Sequence, residues 1–189
     1  MNKAALRKEY KAKRAALYQK ECELMDDLML LKFQQFNYSQ AQTVLSYWPI
    51  TSHAEPNTFL YTGYLKHMVP DILLAYPLTD PATCGMAAVA VTEDTVYHTS
   101  PMGLTEPKEG AIIDPLAIDI VFVPLLICDM QGFRVGFGKG FYDRYLANCR
   151  EDVVKIGFSY FEPVDQIADT TQFDVPLTYC ITPEQIYEF

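Results

Sequence analysis

Two segments at the start of the chain carry apolar residues at helical spacing, with polar residues between them, and predict two helices. The first covers residues 2–18, and its expected buried stripe consists of Ala5, Leu6, Ala12, Ala16 and Leu17. The second covers residues 20–36, and its expected inner side consists of Leu24, Leu28, Leu31 and Phe36. The lysines and arginines of the first helix are expected on a solvated face.

The rest of the chain shows short apolar runs bounded by proline, glycine and polar residues, which is typical of strands. The predicted strands cover residues 43–48, 72–76, 86–91, 118–127, 153–158 and 178–181. Pro49 and Pro77 are expected to end the first two, because proline has no backbone N–H to donate within a sheet. Residues 95–97 are a candidate partner of the third strand. A further helix is predicted over about residues 57–68.

Helices and strands alternate along the chain, which favours an α/β fold with a mostly parallel sheet. We predict a single-domain, three-layer α/β/α arrangement over residues 1–189, with residues 99–117 as a long surface loop. In such sheets ligands bind beyond the carboxyl ends of the strands. The loops after Trp48, Ile127 and Phe158 are therefore expected to lie on one side of the molecule.

Composition narrows the functional classes. Half of the 189 residues are hydrophobic, which suits a substantial core, and the net charge of -9 argues against general binding of nucleic acid or anionic membranes. We find no secretory signal and no run of about 20 apolar residues. The five cysteines are scattered without a C-x-x-C pair, which favours a reducing, cytoplasmic compartment over a disulfide framework or a zinc site. Three distant histidines and the absence of G-x-S-x-G offer no support for a catalytic triad.

The most informative stretch is GFRVGFGKGFYDR at residues 132–144, between a predicted buried strand and a predicted helix over residues 141–148. Glycines let backbone amides approach an anion closely, and helix N-termini favour phosphates. Arg134 and Lys139 can take phosphate oxygens. The stretch is not a P-loop, because Phe141 follows the last glycine where Ser or Thr would be needed. A tight structural turn is the alternative interpretation.

Carboxylates near this stretch are candidate metal ligands. Asp143 lies one turn into the predicted helix and could hold Mg²⁺, which takes one or two carboxylates together with nucleotide phosphates. Its candidate partners in the C-terminal segment are Asp165, Asp169 and Asp174. The alternative is that Asp143 pairs with Arg144 or another nearby cation.

Trp48 ends the first predicted strand and Glu55 lies in the loop after it, so both are expected at the crevice. A carboxylate at Glu55 could bond a polar ring or a proton-bearing nitrogen of a substrate, and Trp48 could wall an aromatic ligand. A solvated loop glutamate and a packed core tryptophan are the alternatives.

Four blocks together resemble the 5-formyltetrahydrofolate cyclo-ligase family, also called methenyltetrahydrofolate synthetases. They are KAALR at residues 3–7, YWP at 47–49 with EPNT at 55–58, DMQ followed by the glycine-rich block at 129–144, and DVPLTYCIT at 174–182. They cover nearly the whole chain in the family's order, and the glycine-rich block is the specific one. The chain departs from the family's pattern at Phe141, where tyrosine is usual, and by two extra residues before Glu55.

The resemblance implies a fold shared with sugar-phosphate isomerases and CoA-transferases. It also implies a ligase that uses ATP as co-substrate and Mg²⁺ and acts on small molecules. Together with the composition, we expect a cytoplasmic monomer with no nucleic-acid or membrane partner. 5-Formyltetrahydrofolate would cyclise to 5,10-methenyltetrahydrofolate with release of ADP and phosphate. The formyl oxygen attacks the γ-phosphate, N10 closes the ring, and phosphate leaves.

Carried over by position, the resemblance assigns roles within the site. The catalytic residues would be Lys139 and Arg134. The ATP-binding residues would be Lys3, Arg7, Arg134, Val135, Gly136, Phe137, Gly138, Lys139, Gly140, Phe141 and Tyr142. The folate substrate would contact Trp48, Glu55, Phe137, Gly138, Lys139, Gly140 and Phe141. Asp143 and Asp174 would hold Mg²⁺.

Two other functional classes remain open at this stage. One is a non-catalytic folate- or nucleotide-binding protein on the same fold. The other is a sugar-phosphate isomerase or CoA-transferase relative, since a fold does not fix a function. Such relatives would need a carboxylate as base or nucleophile and would not need Arg134 and Lys139 within a glycine-rich loop.

Overall fold

The structure is a computed structural model that describes residues 1–100 and 102–189. Its α-helices are α1 (Lys3–Ala15), α2 (Gln19–Phe33), α3 (Thr58–Met68) and α4 (Phe141–Leu146). Its first six strands are β1 (Thr43–Leu45), β2 (Leu73–Asp80), β3 (Gly85–Ala90), β4 (Tyr97–Thr99), β5 (Thr105–Pro107) and β6 (Ile112–Ile113). The other six are β7 (Ile120–Val123), β8 (Ile127–Cys128), β9 (Arg134–Val135), β10 (Val154–Phe158), β11 (Tyr179–Ile181) and β12 (Ile186–Glu188).

Eight strands form the central sheet in the order β12-β11-β10-β7-β1-β2-β3-β6. The five in the middle, β11 to β2 in that order, are parallel to one another. The antiparallel strands β12, β3 and β6 flank them at the two edges. β4 and β5 pair with each other, as do β8 and β9. The predicted α/β class with a mostly parallel sheet is confirmed.

The sheet buries side chains on both faces. Along β7, Ile120 and Phe122 join one core cluster, while Val121 and Val123 join another. The first cluster also takes residues of α2 and α3, and the second takes Tyr145 and Leu146 at the end of α4. Because the central strands are covered on both sides, they appear in the sequence as continuous apolar runs. Among the described residues, no helix is long and apolar enough to cross a membrane.

The buried faces of the first two helices differ from those predicted. In α1 the buried residues are Leu6, Tyr10 and Arg14, one turn apart, whereas Ala5, Ala12 and Ala16 are exposed. In α2 they are Asp26, Met29 and Phe33, whereas Leu24 and Leu31 are about 60% exposed. Helical spacing alone could not choose between two apolar stripes on α2, and the charge of Arg14 led to its placement on the solvated face of the first helix in our prediction.

Five predictions about strands were wrong. β1 ends at Leu45, before Pro49, and the strand predicted over residues 118–127 is divided into β7 and β8, which belong to different sheets. β2 continues through Pro77 to Asp80, because β1 pairs with it only as far as Ala75. Beyond that point only β3 pairs with it as a strand, so the missing N–H of Pro77 falls on an edge without a neighbouring strand. The segment predicted as a surface loop over residues 99–117 contains β5 and β6. Residues of β4 pair with β5 and not with β3.

Candidate active site

A cavity of about 600 Å³ opens at the carboxyl edge of the parallel strands, where the sequence places it. The residues that follow β1, the second half of β2 and Pro124 after β7 contribute to its wall. The other contributors are the start of α1, the glycine-rich loop, and a C-terminal segment that includes Asp174. Residues from distant parts of the chain thus share one space.

Helix α1 reaches the glycine-rich loop through its first two turns. The Arg7 Nε donates a hydrogen bond to the Gly136 carbonyl oxygen at 2.8 Å. A Cβ placed on Gly138 would lie 3.2 Å from the Arg7 Cζ, and Gly138 has a φ of +92°. The backbone conformation therefore favours glycine at this position, and an added methyl group would also press on the end of the Arg7 side chain. The Lys3 ammonium forms an ion pair with Asp174 at 2.5 Å.

A short hairpin, β8–β9, leads directly into the glycine-rich loop. The buried Asp129 in its turn accepts hydrogen bonds from the amides of Gln131, Phe133 and Ile167 at 2.9–3.0 Å. These bonds fix the turn, because a carboxylate with several amide donors is strongly held. The loop therefore follows a rigid hairpin, and not the parallel strand itself as predicted. Helix α4 after the loop has only six residues.

The buried Arg134 and the partly exposed Asp143 form an ion pair on the cavity wall. The Arg134 Nη2 bonds the Asp143 Oδ1 at 2.9 Å, and its Nη1 donates to the Val175 carbonyl oxygen. The same Oδ1 accepts the Val175 amide at 3.1 Å, so both bonds leave Oδ2 unused. Burial lowers the pKa of Arg134, and the Asp143 charge opposes that shift. Asp143 thus has a cation partner, which is Arg134 and not its neighbour Arg144.

Asp143 and Asp174 both line the cavity and are the predicted magnesium ligands. Burial alone would raise the pKa of Asp174, but bonds from Lys3 and Thr171 hold its pKa below the usual range. Asp174 is therefore a carboxylate at neutral pH, as a metal ligand must be. Among residues 1–100 and 102–189, no group of three or more His, Cys, Asp or Glu side chains is arranged to hold a metal. A two-carboxylate set still fits Mg²⁺, which keeps waters and takes phosphate oxygens as further ligands.

Glu55 is a buried carboxyl on the same cavity, with 9% of its surface exposed. Its Oε2 accepts the Ile50 amide at 2.9 Å. Burial raises the pKa of Glu55, while the Ile50 amide and the Arg14 charge oppose the rise. Arg14 itself is 2% exposed and donates to the Leu125 carbonyl oxygen at 2.5 Å. The predicted solvated role of this arginine was wrong, because it lies inside the fold near Glu55.

The half of the cavity around Trp48 is mainly apolar. Trp48 lies against Phe59 and Tyr97 with ring centroids 4.9 Å apart in each case. The nearby wall that the sequence did not predict consists of Pro77, Thr79, Met86, Met102, Leu104, Thr105 and Glu106. Most of these residues belong to β2, β3 and the β4–β5 hairpin. The turn glycine Gly103 between two short strand-like triplets was the available signal for that hairpin.

The structure brings nearly all of the predicted site residues to one cavity. Those lining it are Lys3, Arg7, Trp48, Glu55, Arg134, Gly136, Phe137, Gly138, Lys139, Gly140, Phe141, Tyr142, Asp143 and Asp174. Val135 is the exception: it is buried in the core, and its carbonyl oxygen accepts the Leu126 amide. The Tyr142 hydroxyl is buried with no hydrogen-bond partner among the described residues.

Comparisons with known proteins agree with this geometry. The 5-formyltetrahydrofolate cyclo-ligase family matches residues 1–183. A 5-formyltetrahydrofolate cyclo-ligase of Mycoplasma pneumoniae is 30% identical over 97% of this chain and 100% of its own length. The one of Escherichia coli is 31% identical over 44% of this chain and 48% of its own length.

Solved structures give the same result. The 5,10-methenyltetrahydrofolate synthetase of Aquifex aeolicus matches with a TM-score of 0.82 and 25% identity, over 100% of this chain and 93% of that one. The 5,10-methenyltetrahydrofolate synthetase of Mycoplasma pneumoniae matches with a TM-score of 0.76 and 28% identity, over 97% and 99% of the two chains. The chain therefore belongs to the 5-formyltetrahydrofolate cyclo-ligase family.

Proposed function

We propose that this enzyme uses ATP and Mg²⁺ to cyclise 5-formyltetrahydrofolate to 5,10-methenyltetrahydrofolate, with release of ADP and phosphate, in folate one-carbon metabolism. The observation that carries the proposal is the single cavity with two unlike halves. One half has the basic residues of α1 and the glycine-rich loop, which suit a triphosphate. The other half is apolar with buried carboxylates, which suits a flat, polar-edged ring.

Positioning and charge neutralisation are the main tasks of the protein in such a phosphoryl transfer. Lys3 and Arg7 approach the loop from α1, and the exposed Lys139 neutralises charge on the transferred phosphoryl group. Arg134 adds positive charge and holds Asp143 through the bond at 2.9 Å. Asp143 and Asp174 would hold Mg²⁺, which supplies charge stabilisation on the phosphates when bound.

The reaction then proceeds in two steps. The formyl oxygen forms a bond to the γ-phosphorus, and the bond from that phosphorus to ADP breaks. N10 next forms a bond to the activated formyl carbon and loses its proton, and the carbon–oxygen bond breaks as phosphate leaves. We assign acceptance of the N10 proton to Glu55, since a buried carboxyl with a raised pKa is well matched to proton transfer.

The test is a direct assay of the purified protein. It is incubated with 5-formyltetrahydrofolate, ATP and Mg²⁺, and the methenyl chromophore is followed together with ADP. We expect equal amounts of both products, and no product when ATP is omitted or Mg²⁺ is chelated. Folate binding without turnover would instead identify a non-catalytic binding protein. Product formation without ATP would contradict the proposed phosphorylation.

A further inference from the structure

Two polar groups in the apolar half of the cavity lack full hydrogen bonding. Glu106 on β5 is 2% exposed and lines the cavity wall. Thr79 on β2 also lines the wall, and its hydroxyl is buried with no partner among the described residues. Buried polar groups are normally satisfied, so such a pair within an apolar pocket points to a ligand.

The position of Glu106 follows from the open edge of β2. Past Ala75 this edge has no neighbouring strand, and the Thr79 amide donates to the Glu106 Oε1 at 3.0 Å. Pro77, two residues earlier, has no amide for that edge. A carboxylate thus takes the place of a missing strand, and one amide holds it beside the cavity.

That single amide leaves most of the carboxylate's accepting capacity unused. Its Oε2 takes no part in the bond to Thr79, and a carboxylate can accept about four hydrogen bonds. His98 lies directly opposite in the β4–β5 register, yet no ion pair to Glu106 forms within residues 1–100 and 102–189. A buried carboxylate without a cation is costly unless a ligand supplies donors.

We infer that Glu106 and Thr79 bind the N–H edge of the substrate's reduced pterin ring, which carries an amino group beside a ring N–H. A carboxylate complements two adjacent donors of this kind, and the hydroxyl can serve as a third partner. The inference rests on the proposed function and specifies which wall takes the ring. Because the basic loop forms another part of the cavity, seating the ring at Glu106 also sets which end of the substrate meets ATP.

The variant that tests this is Glu106→Gln. Glutamine keeps the shape and can still accept the Thr79 amide, but it presents an N–H₂ group to ligand donors. We expect the Kd of 5-formyltetrahydrofolate, measured by calorimetry on the full chain, to rise by about 10- to 100-fold, as for loss of a charged hydrogen bond. The KM for ATP should change less than about two-fold, since the phosphates bind elsewhere. Glu109→Gln, an exposed acid of the same segment, is the matched control and should leave both unchanged.

A ligand without the pterin ring distinguishes loss of ring recognition from general damage to the binding site. The Kd of 4-aminobenzoyl-glutamate, which has no pterin, should be the same in wild type and Glu106→Gln. Thr79→Val removes only the hydroxyl and keeps the amide bond to Glu106, and should raise the folate Kd by about five-fold. If Glu106→Gln does not fold, the folate Kd of Thr79→Val alone tests the inference.

An unchanged folate Kd in the variants, or an equal loss of affinity for the ring-free fragment, would overturn the inference. Either result could occur with normal turnover by the wild type, so the proposed function would stand. Failure of the wild type to bind or convert 5-formyltetrahydrofolate would instead count against the proposed function.

Discussion

At the scale of single residues, the buried charged side chains around the cavity are all held by the main chain. Arg14, Glu55, Glu106 and Arg134 are each less than a tenth exposed, and each bonds a main-chain group. The backbone partners are the Leu125 and Val175 carbonyls and the Ile50 and Thr79 amides. Such bonds hold the charges in fixed positions before any substrate arrives, which is the arrangement expected of a preorganised site.

Lys139 differs from these residues because it is exposed and lines the cavity without an ion pair within the described part of the chain. We predict that Lys139→Ala lowers kcat by about 100-fold, since it removes positive charge near the transferred phosphoryl group. The melting temperature should not change. Steady-state kinetics measures the effect, with Lys66→Ala on α3 as the control. A kcat within two-fold of wild type would remove Lys139 from the reaction.

Asp143 gives a second test at this scale. Asp143→Asn keeps an acceptor for Arg134 and Val175 but removes the negative charge, so we expect half-saturation to need about ten-fold more Mg²⁺. A titration of activity with Mg²⁺ at fixed ATP measures this. The exposed Asp152, which pairs with Arg150 on the surface, provides the control Asp152→Asn. An identical Mg²⁺ titration for both variants would exclude the metal role.

The sequence predicted the basic and glycine-rich part of the site far better than it predicted the burial of Glu106 and Arg14. The glycines and cations of the loop are neighbours in the sequence, so their ability to bind an anion can be recognised from the sequence alone. Glu106 and Arg14 carry no such pattern: their burial depends on which edge of β2 lies open and which face of α1 turns inward. Those are properties of packing between distant segments, and spacing along one element does not contain them.

At the scale of elements, the site depends on how α1 meets the glycine-rich loop. Leu6 and Tyr10 bury one face of α1 against Leu126, Ile127 and Val135. This packing places Arg7 over the loop, where it bonds the Gly136 carbonyl oxygen, and Lys3 beside Asp174. The sequence predicted that a helix begins the chain and that Leu6 faces inward, but it assigned most of the inward stripe to small alanines. A large tyrosine and an aliphatic arginine stem bury more surface than alanines can, and this decides the orientation.

Two glycine substitutions test the contact between α1 and the glycine-rich loop. Gly138→Ala should raise the KM for ATP by about ten-fold and cost about 1 kcal/mol of stability, because φ is +92° and the new methyl would press on Arg7. Gly63→Ala on α3, where nothing lies within 4 Å, should instead stabilise the fold by about 0.5–1 kcal/mol and leave the KM unchanged. Chemical denaturation and kinetics on both variants give the comparison. Equal effects of the two substitutions would show that the loop does not need glycine.

At the scale of the whole molecule, stability should respond to pH through Asp26. This buried acid of α2 bonds the Tyr160 hydroxyl at 3.0 Å and the Asn57 amide at 3.2 Å. Burial raises its pKa from 3.8 to about 6 despite these bonds. The folded state therefore binds a proton more tightly than the unfolded state does. The stability from Asp26 is fully present below pH 3.8 and is lost as pH rises through about 6.

We predict that Asp26→Asn is more stable than wild type by about 1–2 kcal/mol above pH 7, an amount already reduced for partial solvent access. The advantage should shrink towards zero at about pH 4, because wild-type Asp26 is then neutral as well. Urea denaturation across this range measures it. Asp27→Asn, the exposed neighbour, should show no such trend. An advantage for Asp26→Asn that is constant with pH would contradict the assignment.

The ion pair between Lys3 and Asp174 spans 171 positions, and this has a consequence for protein synthesis. Ribosomes release the first helix long before the segment that contains Asp174, and the Val175 amide that holds Asp143 emerges later still. A nascent chain therefore carries its glycine-rich loop for some time without the partners that fix the adjoining wall. Under the proposed function, chains truncated before Asp174 should therefore bind and consume ATP poorly.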